Sequence, residues 1–354
     1  LAQRRGKPQV PSLKRLNLAA VKDQSTSCDV LRMDMMPFAD DRARCSEEST
    51  VADTSPPSSM NNTPYDTPLK LACTPFEDSM ADLYEVVGKV IGQGTYGVVR
   101  RGTRRSDGAA VAIKSVRTED EEVRQATNGE VALMTSMRHK NIVTVKDFHE
   151  SPTDTYGQFP YYECWIVMED CAGGNLLQHV HHGGVMAEDS ARHLFFQLLQ
   201  GVNYLHCKRI VHRDIKPANL VLTDGAGTLK ITDFNSAKQI GRDHSGKNGI
   251  MLTDRGDPQW SAPEMRFGGL WNELVDIWSS GLTLFFMLRG KAPIRSSSSQ
   301  ATKMLLSREL PPISWGSIAS LTRNLVEQCL TVSKDFRPTA MELLMHPAIE
   351  EWRW

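Results

Sequence analysis

The chain has 354 residues, 40% of them hydrophobic and 23% charged, which is enough for a sizeable buried core in one large domain plus a tail. A net charge of -1 gives no global bias towards nucleic acid, and no apolar run reaches the roughly 18 residues that a spanning helix needs. Seven cysteines, odd in number and without a CxxC pair, suggest neither a zinc site nor a disulfide framework and fit reduced thiols in an intracellular protein, cytoplasmic or nuclear.

Residues 1–80 show no sustained helical or strand period. They are rich in Ser, Thr and Pro, as in Thr54-Ser55-Pro56-Pro57-Ser58-Ser59. Such a stretch buries too little apolar surface to offset chain entropy, so a disordered tail is expected. Ser55, Thr63, Thr67 and Thr74 each precede proline and offer sites for proline-directed phosphorylation; the basic residues Arg4, Arg5, Lys7, Lys14 and Arg15 read as part of a solvated tail. The first residue is Leu, so a targeting signal further upstream would not be visible.

Order is expected from Tyr84. Val86–Val90, Val98–Arg101 and Ala109–Val116 are short and β-branched, with a Ser106-Asp107-Gly108 turn, and predict an antiparallel meander. Glu121–Met137 predicts a helix, then Asn141–Phe148 and Glu163–Met168 two more strands. After Gly173-Gly174 the pattern becomes helical, first over Ala187–His206, and Gly281–Leu288 reads as a buried helix. The expectation is an α+β fold in two lobes, a small sheet-rich one and a larger helical one, without internal repeats.

Gly92, Gly94 and Gly97 form GxGxxG, where glycine lets the backbone approach phosphate closely. A dinucleotide fold would need this motif to open a helix, as in a nicotinamide-dependent oxidoreductase; here strand residues Val98 and Val99 follow, which argues for a hairpin lid. Lys114 closes the apolar run Val111-Ala112-Ile113, where an unpaired ammonium is costly, and Glu130 in the following helix is a candidate partner. His212-Arg213-Asp214-Ile215-Lys216-Pro217-Ala218-Asn219 packs proton-handling, metal-binding and cationic groups into eight positions. Asp233 then ends the strand Leu229-Lys230-Ile231-Thr232, and Ala262-Pro263-Glu264 follows a polar loop.

In this order the motifs resemble those of the eukaryotic protein kinase superfamily, of serine/threonine type, over residues 84–350. The resemblance implies a domain over 81–354, with an N-lobe at 81–168, a hinge at 169–173 and a C-lobe at 174–354. It implies ATP and Mg2+ as cofactors and protein substrates as partners. Gly92, Gly94, Gly97 and Val99 would cover ATP, Ala112 would touch the adenine, and the Glu169–Cys171 backbone would bind it behind Met168. Lys114, paired with Glu130, would orient phosphates; Asp214 would take or position the substrate proton, Lys216 would neutralise charge on the transferred group, and Asn219 and Asp233 would hold magnesium. Asp276 would support the catalytic loop and Arg337 would pair with Glu264.

Two positions depart from the pattern. Asn235 stands where the magnesium motif has glycine; asparagine is the non-glycine residue that best tolerates positive φ, so the change is expected to be mild and the metal ligand intact. Asp257 stands where a threonine is usual, and its carboxylate is expected either to pair with Lys216 or to repel Asp214. These two residues are the support for the alternative, an ATP-binding pseudokinase scaffold. Arg213 before Asp214, with Thr253 in the following loop, implies activation by an upstream kinase acting on Thr253. Asn175 and Ala218, where kinases preferring basic substrates often carry acids, argue against such a preference.

Overall fold

The computed structural model describes residues 80–93, 97–153, 161–223, 227–241 and 257–352, together with the backbone of two strands, β1 (Leu13–Leu16) and β2 (Cys73–Phe76). A single turn, α1 (Met80–Leu83), leads into the meander β3 (Tyr84–Gln93), β4 (Gly97–Arg104) and β5 (Ala110–Thr118). The β4–β5 turn falls where its sequence requires: Gly108 takes φ +69, and the Asp107 carboxylate accepts the Ala109 N–H at 3.1 Å.

Helix α2 (Glu121–Thr135) follows, capped by Asp120, which accepts the Glu122 N–H at 2.8 Å, with acidic Glu121 and Glu122 suited to the positive end of the helix dipole. Then come β6 (Val145–Thr153) and β7 (Tyr161–Glu169). The sheet is antiparallel in the order β2-β1-β6-β7-β5-β4-β3. Met80, Tyr84, Val111, Ile113 and Val167 form one buried cluster on it.

Two of the expectations need correcting. The strands β1 and β2 lie inside the stretch expected to lack regular structure; β1 adds to the sheet by pairing with β6, whose edge offers unpaired backbone groups. The tail residues Ser55, Thr63 and Thr67 lie outside the described residues. The strand expected over Asn141–Phe148 begins only at Val145, because 139–142 forms a turn. His139 Nδ1 accepts the Asn141 N–H at 3.1 Å, and the Asn141 amide donates to Gln197 Oε1 and the Leu229 carbonyl, at 3.2 and 2.8 Å. These side-chain bonds replace the ladder.

Beyond the hinge the chain is mostly helical, as expected. A short strand, β8 (Gly174–Asn175), precedes α3 (Leu176–Gly183) and the long α4 (Glu188–Cys207). Small strands β9 (Ile210–Val211), β10 (Leu220–Leu222), β11 (Leu229–Ile231) and β12 (Lys238–Gln239) frame the site loops. The helices α5 (Pro263–Arg266), α6 (Val275–Arg289), α7 (Ser299–Leu306), α8 (Ser320–Cys329) and α9 (Ala340–Leu344) complete the lobe. Every residue of α6 from Val275 to Leu288 is buried, polar Asp276, Ser279, Ser280 and Thr283 included, and its apolar residues are accordingly not confined to one stripe. Helix α4 packs on α6, α9 and β11, and so fixes the base of the loops that follow it. None of the described helices is long and apolar enough to cross a membrane.

Candidate active site

A cleft of about 850 Å3 is walled by β3, β4, β5 and α2 on one side and by 218–221 and 232–233 on the other, with 168–175 joining them. Gly92, Gly97, Val99, Ala112, Lys114, Glu130, Glu169, Cys171, Asn219 and Asp233 all line it. Gly94 lies outside the described residues. The two remaining loop glycines differ in what holds them: a Cβ at Gly97 would sit 2.4 Å from the Ser115 carbonyl oxygen, so the β4–β5 pairing itself requires glycine. A Cβ at Gly92 would meet only ordinary contacts with Val99 at 3.6 and 3.7 Å, so its own sheet makes no such demand.

The apolar walls come from Val99, Ala112, Val143, Met168 and Val221. On the joining segment, the Glu169 carboxylate accepts the Thr144 N–H at 2.7 Å and pairs with buried Lys230 at 2.9 Å. Burial pushes the Cys171 thiol up to about 12, which favours its protonated form at neutral pH. At the cleft mouth Arg101 of β4 donates to Asp170 Oδ1 and to the Ala172 carbonyl, both at 3.1 Å.

Deep in the cleft, Lys114 Nζ reaches both Glu130 oxygens at 3.0 Å and Asp233 Oδ1 at 3.3 Å. Burial works against the ammonium, but the charges of Glu130 and then Asp233 outweigh it and hold the Lys114 pKa above its ordinary value. Helix α2 is aimed by Arg124, six residues before Glu130. Its guanidinium bonds Glu150 of β6, reaches Glu121 at 3.1 Å and stacks over the Tyr162 ring, 4.1 Å from its centre.

The second half of the site hangs on α6. Buried Asp276 accepts the backbone N–H groups of His212 and Arg213, both at 2.8 Å, and bonds His206 Nε2 at 3.0 Å. Burial would raise its pKa; the His206 hydrogen bond and the neighbouring histidines lower it below the usual carboxylate value. The loop so held carries Asp214, whose Oδ2 meets Lys216 Nζ at 2.9 Å and the Asn219 amide at 2.8 Å. Of the four non-glycine residues with positive φ among those described, two, Arg213 at +66 and Asp233 at +63, are in the site.

The two departures resolve differently from the expectation. Asn235 is not at positive φ: it lies in a 3-10 turn over Phe234–Ser236, and the left-handed residue is Asp233 before it. Its amide instead donates to Asp233 Oδ1 at 2.8 Å. Asp257 makes no ion pair with Lys216 among the described residues. Its backbone N–H donates to Asp214 Oδ1 at 3.3 Å, while its carboxylate caps the next turn by accepting the Gln259 N–H at 2.9 Å. Asn175 likewise serves as the N-cap of α3, in a reciprocal capping box with Gln178. Arg337 pairs with Glu264 at 2.7 and 3.1 Å, as expected. Thr253 lies outside the described residues.

Residues 84–349 match the protein kinase domain family, about three quarters of the chain. The chain belongs to the protein kinase family. It is 31% identical over 277 residues to a probable myosin light chain kinase of Dictyostelium discoideum, covering 76% of this chain and 74% of that protein. It is 32% identical to mouse sperm motility kinase 2B and 29% identical to the Dictyostelium serine/threonine-protein kinase dst1. Those matches cover 75% and 79% of this chain but only 52% and 36% of these longer kinases. By family and relatives the protein is therefore an enzyme of the serine/threonine kinase type.

The kinase residues that sequence reasoning missed are those whose partners lie far away along the chain. Lys230 repeated the signal that found Lys114, a lysine inside a short apolar strand. Arg101 and Arg124 gave none, since each looks like an ordinary surface cation until the fold brings Asp170 and Glu150 to it.

Proposed function

We propose that this kinase transfers the γ-phosphate of ATP to serine or threonine hydroxyls of protein substrates, with magnesium. The observation that carries this reading is the Lys114 ammonium, shared between Glu130 and Asp233 in the cleft that also holds the glycine strands. The oxygen donors fit magnesium: the Asp233 carboxylate and the Asn219 side chain line one wall, and the Asn219 nitrogen is committed to Asp214, so its oxygen is the atom available to a cation. Magnesium takes one or two such donors with phosphate and water, rather than a dedicated cage. When bound it neutralises phosphate charge.

Lys114 holds the α- and β-phosphates, with Glu130 fixing its aim, and Val99 and Ala112 pack against the adenine, which bonds the backbone of Glu169 and Cys171. Asp214 orients the acceptor hydroxyl and takes its proton; Lys216, already 2.9 Å from Asp214, stands over the transferred group. The capping role of the Asp257 carboxylate, which accepts the Gln259 N–H, supports the enzyme reading over the scaffold alternative. Activation through Thr253 by an upstream kinase, and an intracellular location, belong to the same reading.

The test is phosphate transfer to a serine/threonine peptide array by the purified protein beside Asp214→Asn. The wild type should label peptides, and Asp214→Asn should lose about a hundredfold or more of the rate. Equal inactivity of both, with magnesium and several substrates, would remove the reading. Thr253→Ala protein from its native cells, run in the same assay, should label weakly.

A further inference from the structure

The geometry points to Asn235 as a positioning residue for the metal carboxylate: its side-chain amide holds Asp233 in the orientation that presents Oδ2 to a divalent cation. This rests on the reading of Asp233 as a metal ligand. Two donors converge on one oxygen of Asp233, the Asn235 amide at 2.8 Å and Lys114 at 3.3 Å, and both take Oδ1. With one oxygen doubly held, the carboxylate cannot rotate freely, and the other oxygen is left for the cleft that Asp233 lines.

The backbone makes such a brace useful. Asp233 sits at φ +63 and ψ +76, a sparsely populated region for a residue with a Cβ, and its side chain is about a third exposed. Packing alone therefore does little to fix it. The 3-10 turn over Phe234–Ser236 folds the chain back by two positions, which is what brings the Asn235 amide to the carboxylate. The turn is itself anchored: Phe234 is buried and meets the His212 ring edge-on at 4.8 Å, and the Ala237 N–H bonds the Phe234 carbonyl at 2.9 Å. The turn does not use positive φ at 235, so the side chain, not backbone freedom, is what asparagine contributes there. Groups that orient a metal ligand through a hydrogen bond typically change metal affinity by ten- to a hundredfold when removed.

The test compares the affinity of the purified protein for a non-hydrolysable ATP analogue with Mn2+ present and with EDTA, read by calorimetry, so that no turnover is needed. The ratio of the two dissociation constants measures the metal's contribution. Asp233→Ala should bring the ratio near one. Asn235→Ala should lower it about tenfold while leaving the affinity in EDTA unchanged, and adding Asn235→Ala to Asp233→Ala should change nothing further, because the amide acts through the carboxylate. If Asp233→Ala collapses the ratio and Asn235→Ala does not move it, the brace is wrong and the metal reading stands. If Asp233→Ala leaves the ratio intact, the metal reading itself fails. Should Asn235→Ala melt several degrees lower in EDTA, Asn235→Gly decides by the same ratio.

Discussion

A lysine at the end of three apolar strand residues must find a carboxylate, and Lys114 finds two. The Glu130 side chain is 2% exposed and that of Lys114 9%, so their charges are nearly out of water. Removing one partner from such a pair leaves the other buried and uncompensated, which costs about 3 kcal/mol or more. Glu130→Gln keeps the volume and removes the charge. It is expected to lower unfolding free energy in urea by about that amount and to raise the KM for ATP, because the ammonium is then drawn to Asp233 alone. An unchanged urea midpoint together with an unchanged KM would show that the pair neither stabilises nor aims. Asn235 works at the same scale by a different means: a neutral amide that orients a charge without altering it.

At the scale of elements, α2 is held at both of its working points. Glu130 faces the cleft, while Arg124 ties the first half of the helix to β6 through Glu150 and to β7 through Tyr162. The Arg124 pKa is raised, chiefly by the hydrogen bond to Glu150, so the guanidinium stays charged at any working pH. Arg124→Ala is expected to loosen the helix and weaken ATP binding severalfold, with Arg124→Lys recovering part of it, and hydrogen exchange across 121–135 should rise in step. Protection that is unchanged in the alanine variant would rule the anchor out.

The elements themselves were largely legible, because the period of the apolar residues changes at Gly173-Gly174 and turn signals are local. Asp107-Gly108 marks a turn in any context, whereas the equally local Asp120 cap of α2 went unread. What could not be read was decided by distant partners. Asn141 looks like the start of a strand until Gln197 and Leu229 claim its amide. The Lys114–Glu130 pair was legible because burial of a cation makes a demand that few residues can meet. The brace by Asn235 was not, because it depends on a 3-10 turn that no local pattern announces. The capping role of Asp257 was missed for the same reason: its carboxylate serves a backbone N–H two residues on.

On the scale of the whole molecule, the two lobes are organised around different centres. The upper one has a sheet with a small cluster about Tyr84 and Val167, and the lower one is built around α6, buried from Val275 to Leu288. The site is assembled where they meet, so its two halves have separate supports: Glu130 depends on α2, and Asp214 on Asp276 of α6. The Arg101 guanidinium crosses the mouth of the cleft between these bodies, from a glycine-rich strand to Asp170 and Ala172. These two bonds tie β4 to the segment that joins the lobes, and Arg101 and Ala172 line the cleft. On the proposed reading of that cleft as a nucleotide site, the tie bears on timing: it resists the parting of strand and joining segment that release of a nucleotide calls for. Arg101→Ala should therefore speed nucleotide dissociation in stopped-flow measurements while association stays nearly constant, and an unaltered off-rate would mean that the tie has no part in release.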